Sequence, residues 1–496
     1  MELEFQEIAL SCLKKAVGGT KTEEQTLEIK LPEAMPDIGR VLGARGQPLL
    51  RGKEWKGSSI QITGGIMAWA LYAPEDGSMP RTVEGWIPFQ MRWELPEACR
   101  DGSILADIRL ESIDSRSISA RKLLVRAAVS LSVQALAPEK LQLAQPAQLP
   151  REVQVLREKY PVELTLEAGE RVFEMEEELP LPENCAQAEK VLYCALEPRI
   201  SECKLMGDKL VFRGVAQLRL LLRCEGGAVQ SCDFPLPFSQ YAELEQSYAS
   251  DARGSVIPCV TALDAELVGG LRIKLGLVGQ YAVSAPRELE LVTDAYSTQR
   301  ELQLQTRELE LPSVLDACAC SVAAEALLPP SCRELQDVFI TAGHPRQSRA
   351  GECVEITLPG TVSLLCADEE GHLHGEQQHW EGQTSVPADR AVEMLCAGVE
   401  LQTPVWERSG EALTLRQEAQ VQLRSNLRGS VGAVSGLTLG EPKPKTRCPS
   451  LILKRAEAAS LWETAKQCGS TVDAILEANG LTQEPEPGVM LLIPIQ

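Results

Sequence analysis

The chain has 496 residues, of which 70 are acidic and 49 basic, so its formal net charge is −21. An acid excess of this size disfavours binding to nucleic acid or to an anionic membrane through bulk charge. Hydrophobic residues make up 44% of the chain, which is ample for several packed domains, and no apolar stretch reaches the length that a membrane span needs.

We expect no secretory signal at the first residues, because Glu2 and Glu4 place acid where a basic segment belongs. The apolar residues that follow are spaced like one face of a short helix. They are Phe5, Ile8, Ala9, Cys12, Leu13 and Val17. We therefore expect an N-terminal helical segment over residues 1–24. We also expect a cytoplasmic protein whose 16 cysteines are mostly reduced thiols.

Residues 31–38 read Leu-Pro-Glu-Ala-Met-Pro-Asp-Ile and lead into the apolar pair Val41 and Leu42. One interpretation is structural, with Pro36 restricting the backbone and Asp37 capping a short helix. The other is that Pro36 and Asp37 contact a partner. This segment resembles the start of a SPOCS domain, a module of spore-forming bacteria found in spore coat and cortex morphogenesis proteins.

An alternating apolar and polar segment occurs three times, and each copy ends at a glycine that turns the chain. The copies start at Ile60, Leu210 and Val354 and reach Gly77, Gly227 and Gly371, each 17 positions later. A strand containing proline follows each turn, and a further alternating strand closes each copy. The pattern predicts three β-hairpins within three larger repeats.

The spacing between copies is 150 and then 144 residues, which indicates domain-sized units rather than a solenoid. Strand periodicity with Pro and Gly turns favours β-sandwich or barrel-like domains, so the chain is expected to be mainly β. The predicted units are residues 25–150, 151–312 and 313–440. A stiff linker is expected over residues 441–448, before a tail at residues 449–496.

No phosphate loop, HExxH motif or GxSxG motif is present, and the four histidines all fall in the third repeat. His372 and His374 would point to one side of a strand, with His379 and Cys366 near in sequence. Two histidines on one face of a hairpin can bind zinc if a third ligand arrives. The alternative, which we favour, is that these histidines decorate an exposed turn. We expect no enzyme activity, no metal and no cofactor.

The tail predicts strand, helix, helix and strand in that order. Ser460 and Glu463 form a capping box for the first helix, and Gly469 ends it. Ser470 and Asp473 repeat the cap for a second helix, which ends at Asn479 and Gly480. Short apolar runs at residues 451–454 and 489–494 supply the two strands.

These residues resemble the LysM domain, a small fold best known for binding N-acetylglucosamine-containing glycans. The resemblance places the binding face at Ser460, Leu461, Trp462, Ile475, Asn479 and Leu481. The family usually has Gly-Asp-Thr before Leu-Trp, whereas this chain has Ala458, Ala459 and Ser460. Losing the permissive turn residue and the polar contact favours a protein partner over a sugar.

Several SPOCS units followed by one LysM domain is the layout of SipL-like proteins of clostridia. The resemblance implies a scaffold made in the mother-cell cytoplasm and recruited to the forespore surface. Its tail would dock a coat-morphogenesis ATPase, and its repeats would bind other coat proteins. The alternative is a peptidoglycan-binding protein that acts at the cell wall or spore cortex.

Overall fold

The computed structural model of the chain describes most of its length. The described residues are 2–96, 101–311, 314–328, 332, 334–388, 392–409, 412–427, 430–443, 450–456 and 460–495. The protein is mainly β, as the sequence predicts. Neither of the two helices in this described part has the length and apolar character that a membrane crossing requires.

Unit 1 spans residues 5–146 and contains six strands. They are β1 (Phe5–Lys30), β2 (Ile38–Lys56), β3 (Ser59–Pro74), β4 (Arg81–Glu94), β5 (Ser103–Ser119) and β6 (Lys122–Pro146). The inward residues of β4, namely Ile87, Phe89, Met91 and Trp93, alternate with exposed ones, as expected for a strand with one buried face. Gly77 turns the chain between β3 and β4 with φ 73°, a left-handed conformation that favours glycine.

The six strands of unit 1 form two three-stranded sheets. One has the order β2-β3-β4, and the other contains β1, β6 and β5 side by side. Ile60 and Ile62 of β3 share a core with Leu123 and Val125 of β6, and all four are fully buried. The two sheets therefore pack face to face as a β-sandwich.

Unit 2 spans residues 153–297 and repeats the same strand order. Its strands are β7 (Val153–Leu179), β8 (Ala188–Met206), β9 (Lys209–Cys224), β10 (Val229–Glu243), β11 (Arg253–Leu267) and β12 (Leu271–Ser297). One sheet is β10-β9-β8, and β11-β12-β7 continues into the sheet of unit 1 through a pairing of Leu13 with Thr165. The two units thus share one six-stranded sheet.

Unit 3 spans residues 300–442 and follows this plan with its long strands divided. Its strands are β13 (Arg300–Glu310), β14 (Val314–Leu328), β15 (Glu334–Ala342), β16 (Arg346–Ala350), β17 (Cys353–Ala367), β18 (Leu373–Pro387), β19 (Val392–Leu401), β20 (Val405–Ser409), β21 (Ala412–Leu427) and β22 (Ser430–Pro442). β13 pairs with β22 and β14 with β21, where unit 2 has the single long pair β7 and β12.

Each of the three hairpins predicted from the repeat is present. β3 pairs with β4, β9 with β10, and β17 with β18, all antiparallel. The unit boundaries 25–150, 151–312 and 313–440 remain predictions.

The three units share buried surface, and unit 3 also has a hydrophobic core of its own, which includes Ile356, Leu364 and Val421. One hydrophobic cluster joins Ile60 of unit 1, Phe212 of unit 2 and Phe339 of unit 3. A side chain of this size contributes about 1.5–3 kcal/mol when fully buried. The units therefore stabilise one another across their boundaries.

The N-terminal helical segment predicted over residues 1–24 is wrong. Residues 5–30 form β1, which pairs with β6 along its length from Phe5 with Pro146 to Lys30 with Lys122. The helical spacing of apolar residues is a weak local preference, and pairing with a strand more than ninety residues away overrides it. Gly18 and Gly19, within the same run, also disfavour a helix.

The C-terminal unit contains β23 (Leu451–Arg455), α1 (Leu461–Cys468), α2 (Val472–Asn479) and β24 (Met490–Pro494). The first two residues of the predicted linker form part of a strand instead. Glu441 and Pro442 belong to β22, where Pro442 pairs with Arg300. Residues 444–448 of that linker lie outside the described residues.

β3 of unit 1 and β17 of unit 3 are equivalent strands, and each is bonded to the loop before the first strand of the sheet that contains it. The bond is a hydrogen bond in unit 1 and a disulfide in unit 3. The fourteenth residue of β3 is Tyr72, and its hydroxyl donates to the Pro36 carbonyl at 3.2 Å. The fourteenth residue of β17 is Cys366, which forms a disulfide with Cys332 across a Cα–Cα distance of 5.3 Å. The expectation of reduced thiols therefore does not hold for this pair.

Candidate functional site

The capping residues of the C-terminal unit explain where its helices begin and end. The Ser460 hydroxyl accepts the Glu463 amide at 3.3 Å, and Gly469 ends α1 with φ 65°. The cap predicted at Ser470 is wrong by one residue, because Thr471 caps α2 by accepting the Ala474 amide at 3.1 Å. Ser470 is buried instead, and its hydroxyl donates to the Pro494 carbonyl.

The structure places half of the predicted binding residues in the core of this unit. Leu461 is 4% exposed, Trp462 9% and Ile475 0%, and they pack with Ala465 and Leu491. Ser460 is exposed and Leu481 is partly buried. The buried residues hold the two helices against the sheet, so they offer little surface to a partner.

Asn479 joins α2 to the last strand. Its amide nitrogen donates to the carbonyls of Ile475 and Leu492, both at 2.7 Å, and its amide oxygen accepts the Leu492 N–H at 2.8 Å. The side chain thus pairs with β24 as a neighbouring strand would. This satisfied set of bonds indicates a structural role for Asn479.

The C-terminal unit rests on the end of unit 2. The Trp462 indole N–H donates to Asp294 Oδ2 at 2.8 Å, and Lys466 Nζ lies 2.6 Å from the same atom. The rings of Trp462 and Tyr296 meet edge to face, with centroids 4.8 Å apart. Tyr296 also donates to the Ser470 carbonyl at 2.9 Å. The helical face that the resemblance marks for binding is therefore covered in part by this chain itself.

These contacts shift the pKa values of the two unit 2 residues. Burial alone would raise the pKa of Asp294, but the hydrogen bonds from Lys466 and Trp462 outweigh it and hold that pKa below its usual value. Burial, with the neighbouring Asp294 charge, raises the pKa of Tyr296 to about 12. Asp294 is thus a charged anchor for the C-terminal unit.

Pro36 and Asp37 lie in an irregular loop that the side chain of Arg121 holds together. No helix follows them, since β2 begins at Ile38, so the predicted helix cap at Asp37 is wrong. Arg121 donates to Asp37 Oδ1 and to the Pro32 carbonyl, both at 2.7 Å. A guanidinium reaching from the β5–β6 turn takes the carboxylate that would otherwise cap a helix.

The predicted histidine group does not converge. His372 Nδ1 lies 3.4 Å from Glu370 and 3.6 Å from Asp368, on an exposed turn. Cys366 is joined to Cys332 and has no thiolate to offer a metal. Within the described residues there is no group of three or more His, Cys, Asp or Glu side chains that could hold a metal ion.

A different histidine joins unit 3 to unit 1 through contacts that no local pattern indicated. His344 Nδ1 lies 2.9 Å from Ser130 Oγ, and its Nε2 lies 3.1 Å from Asp107 Oδ2. Arg109 donates to the same Asp107 oxygen at 3.1 Å.

The residue types match a catalytic triad, but the serine contacts Nδ1 where the triad uses Nε2. Ser130 is 1% exposed and His344 5%. We interpret the cluster as a structural link.

A second buried cluster joins all three units. Arg45 of unit 1 donates to Asp337 Oδ2 of unit 3 from Nε at 3.1 Å and from Nη2 at 2.9 Å. The Tyr193 hydroxyl of unit 2 donates to Asp337 Oδ1 at 2.9 Å. No sequence signal brings these residues together, because Asp337 lies 292 residues from Arg45 and 144 residues from Tyr193 in the chain.

The fold defines a protein built from three β-sandwich units that share buried surface, with a small βααβ unit docked at one end. Residues 187–267 match the family model described as SipL, SPOCS domain. That span covers β8 to β11 of unit 2 and supports the SPOCS family, which points to a sporulation-related protein. The resemblance at residues 31–38 lies in unit 1, outside the matched span. No curated protein and no solved structure matches the chain.

Proposed function

We propose that this chain is a non-enzymatic scaffold in spore envelope morphogenesis. The observation that carries the proposal is the SPOCS match over β8–β11. Three related units on one chain supply several similar surfaces, and weak contacts at linked surfaces add through effective concentration. Such avidity suits a protein that recruits components to a forming shell.

The C-terminal unit, which resembles LysM, would dock a coat-morphogenesis ATPase, and the β units would bind other coat proteins. Support comes from the outer face of its sheet, where Leu451, Leu453, Met490 and Leu492 are 38–62% exposed. A group of exposed apolar side chains marks a protein interaction site. In this proposal the protein works in the mother-cell cytoplasm and is recruited to the forespore surface.

The rival function is peptidoglycan binding. In LysM domains the loop before the first helix and the loop before the last strand form the sugar groove. Here Glu484 Oε1 accepts the Leu461 N–H at 3.1 Å and bridges these two parts of the chain. Ala458 and Ala459, which replace the family's Gly and Asp, lie outside the described residues. The bridge favours a protein partner over a glycan.

The absence of enzyme activity is part of the proposal. Its support is the burial of Ser130 and His344 in the cluster with Asp107, which leaves both the serine and the histidine closed to a substrate. Asp107 is in addition neutralised by Arg109.

The test measures direct binding of the purified full chain to a purified coat-morphogenesis ATPase and, separately, cosedimentation with peptidoglycan sacculi. We expect micromolar or tighter binding to the ATPase, weakened by Leu492→Asp on the C-terminal unit. Met206→Asp on unit 2 is the matched control, since Met206 is also an exposed apolar residue. Cosedimentation with sacculi without ATPase binding would contradict the scaffold and support the rival.

A further inference from the structure

Exposed apolar side chains are concentrated on the C-terminal unit. Of the 14 large hydrophobic residues exposed in the described chain, five lie within residues 451–492. They are Leu451 at 49%, Leu453 at 62%, Val489 at 43%, Met490 at 47% and Leu492 at 38%. Leu453 pairs with Leu492 and Arg455 with Met490. The side chains of these four residues and of Leu451 therefore share one face of the sheet, opposite the helices, whereas Val489 precedes β24.

One edge of this two-stranded sheet is closed and the other is open. On the β24 edge, the Asn479 amide satisfies both the N–H and the C=O of Leu492. On the other edge, β23 pairs with no strand among the described residues except β24. The sheet therefore has a single open edge in this part of the chain.

The register shows which backbone groups point outward. Ala456 donates to Val489 and Ile495 to Ser450, so the even-numbered residues of β23 are those bonded to β24. Leu451, Leu453 and Arg455 consequently direct their N–H and C=O groups away from β24. Unpaired strand edges of this kind are templates for an added strand.

The charge and the apolar side chains along the open edge of β23 indicate what kind of segment would bind there. Arg455 is exposed at the end of this edge and has no carboxylate within ion-pair distance among the described residues. A second copy of the chain would bring its own net charge of −21 to the interface, and this repulsion disfavours self-association. The edge fits an extended segment with apolar residues opposite Leu451 and Leu453 and a carboxylate opposite Arg455.

We infer that β23 accepts an extended segment of a partner protein as a third, antiparallel strand. Main-chain hydrogen bonds to Leu451, Leu453 and Arg455 hold the segment, and alternate side chains set its specificity. An antiparallel segment places its acidic residue toward its N-terminus. The inference rests on the proposed scaffold role only in taking a protein as the occupant.

The probe is a fluorescein-labelled heptapeptide, Thr-Glu-Thr-Val-Thr-Val-Thr, titrated against the full chain by fluorescence anisotropy. Its Glu and two Val residues would face Arg455, Leu453 and Leu451. We expect binding that is lost when the backbone amides of the Glu and the two Val residues are N-methylated, because those amides form the hydrogen bonds to β23. Equal binding of the methylated peptide would overturn the inference, as would the absence of binding at about 1 mM peptide.

Two variants of the full chain complete the test. Leu453→Pro removes an outward N–H without breaking a bond to β24, and we expect it to abolish binding. The Arg455→Glu chain should bind the acidic peptide about tenfold more weakly than the wild type does. It should bind more tightly to the same peptide with Lys in place of Glu. The charge exchange keeps the test decisive if the proline variant misfolds.

Different results would contradict the proposed scaffold role and the proposed binding surface on β23. ATPase binding that is unchanged in Leu453→Pro and Arg455→Glu overturns the surface and leaves the scaffold. Peptide binding with these dependences, in a chain that does not bind the ATPase, supports the surface and contradicts that part of the proposed function.

Discussion

The guanidinium of Arg45 lies 2.9 Å from the carboxylate of Asp337, and the two side chains are 0% and 1% exposed. Tyr193 donates to the second carboxylate oxygen, so one residue from each unit meets at this point. Separating the units would break this ion pair and would expose the apolar side chains that pack across the unit boundaries. The cluster therefore requires the three units to be present together.

Replacing Arg45 with Met should destabilise the whole protein. Removing one partner of a buried ion pair leaves an uncompensated charge and costs about 3–5 kcal/mol. Chemical denaturation followed by tryptophan fluorescence and by circular dichroism measures the loss. We expect both signals to shift to lower denaturant together.

The matched control is Arg126→Gln, because Arg126 pairs with Asp114 at 2.7 Å on the surface. Exposed pairs contribute less than about 1 kcal/mol. An Arg45→Met protein as stable as the Arg126→Gln protein would show that the three-unit cluster adds no stability.

Replacing Asp294 with Ala should loosen the C-terminal unit while the β units stay folded. The substitution removes the acceptor of Trp462 and the ionic partner of Lys466, and hydrogen bonds to a charged group are worth about 1.5–3 kcal/mol each. Hydrogen exchange followed by mass spectrometry should show about tenfold faster exchange or more in α1. Glu477→Gln, on the exposed side of α2, is the control, and equal exchange in the two variants would refute the docking.

The contribution of Asp107 to stability should fall in acid. Burial alone would raise the pKa of Asp107, but the Arg109 charge and the His344 hydrogen bond outweigh it and hold the pKa well below its usual value. A lowered carboxyl pKa gives stability that is present above the unfolded pKa of about 3.9 and is lost as the pH falls.

The stability difference between the wild type and Asp107→Asn should therefore shrink by about 1 kcal/mol between pH 6 and pH 3. Denaturant titrations at both pH values measure it, with the exposed Asp101→Asn as the control. A difference that grows in acid would mean that His344 and Arg109 do not stabilise the carboxylate.

Peptide mapping should recover Cys332 linked to Cys366 from protein purified without reductant. Their linkage closes 34 residues of chain, and such a loop is worth about 3–4 kcal/mol in the chain-entropy model. Reduction should thus lower the denaturation midpoint, and Cys332→Ser should reproduce that loss. If alkylation before digestion labels both residues, the pair is reduced in the protein as purified.

Local patterns predicted the β elements well because they act over a few residues. Alternation up to Gly77, Gly227 and Gly371 identified the three hairpins, and Ser460 and Gly469 identified the bounds of α1. The same local patterns failed at residues 5–30, where apolar spacing indicated a helix. There the partner strand decided the conformation, and no window of a few residues contains it.

The predicted functional residues also show what local patterns can predict and what depends on distant contacts. The resemblance to LysM found the residues that build the C-terminal unit, but Leu461 and Ile475 lie in its core. Whether a residue of a small unit faces inward, outward or toward another unit depends on what the unit docks against. The exposed edge at Leu453 and Arg455 became visible only once the register of β23 with β24 was known.

The sequence alone determined the mainly β class, the threefold repeat, the turn glycines and the βααβ order of the tail, since each rests on spacing between near neighbours. The tertiary structure decided the buried surface that the units share, the His344 link and the contact of the C-terminal unit with Asp294. Those contacts join residues 292 apart at Arg45 and Asp337, 214 apart at Ser130 and His344, and 168 apart at Asp294 and Trp462. A contact over such a distance forms only after the whole fold has brought its two residues together, so no local pattern carries it.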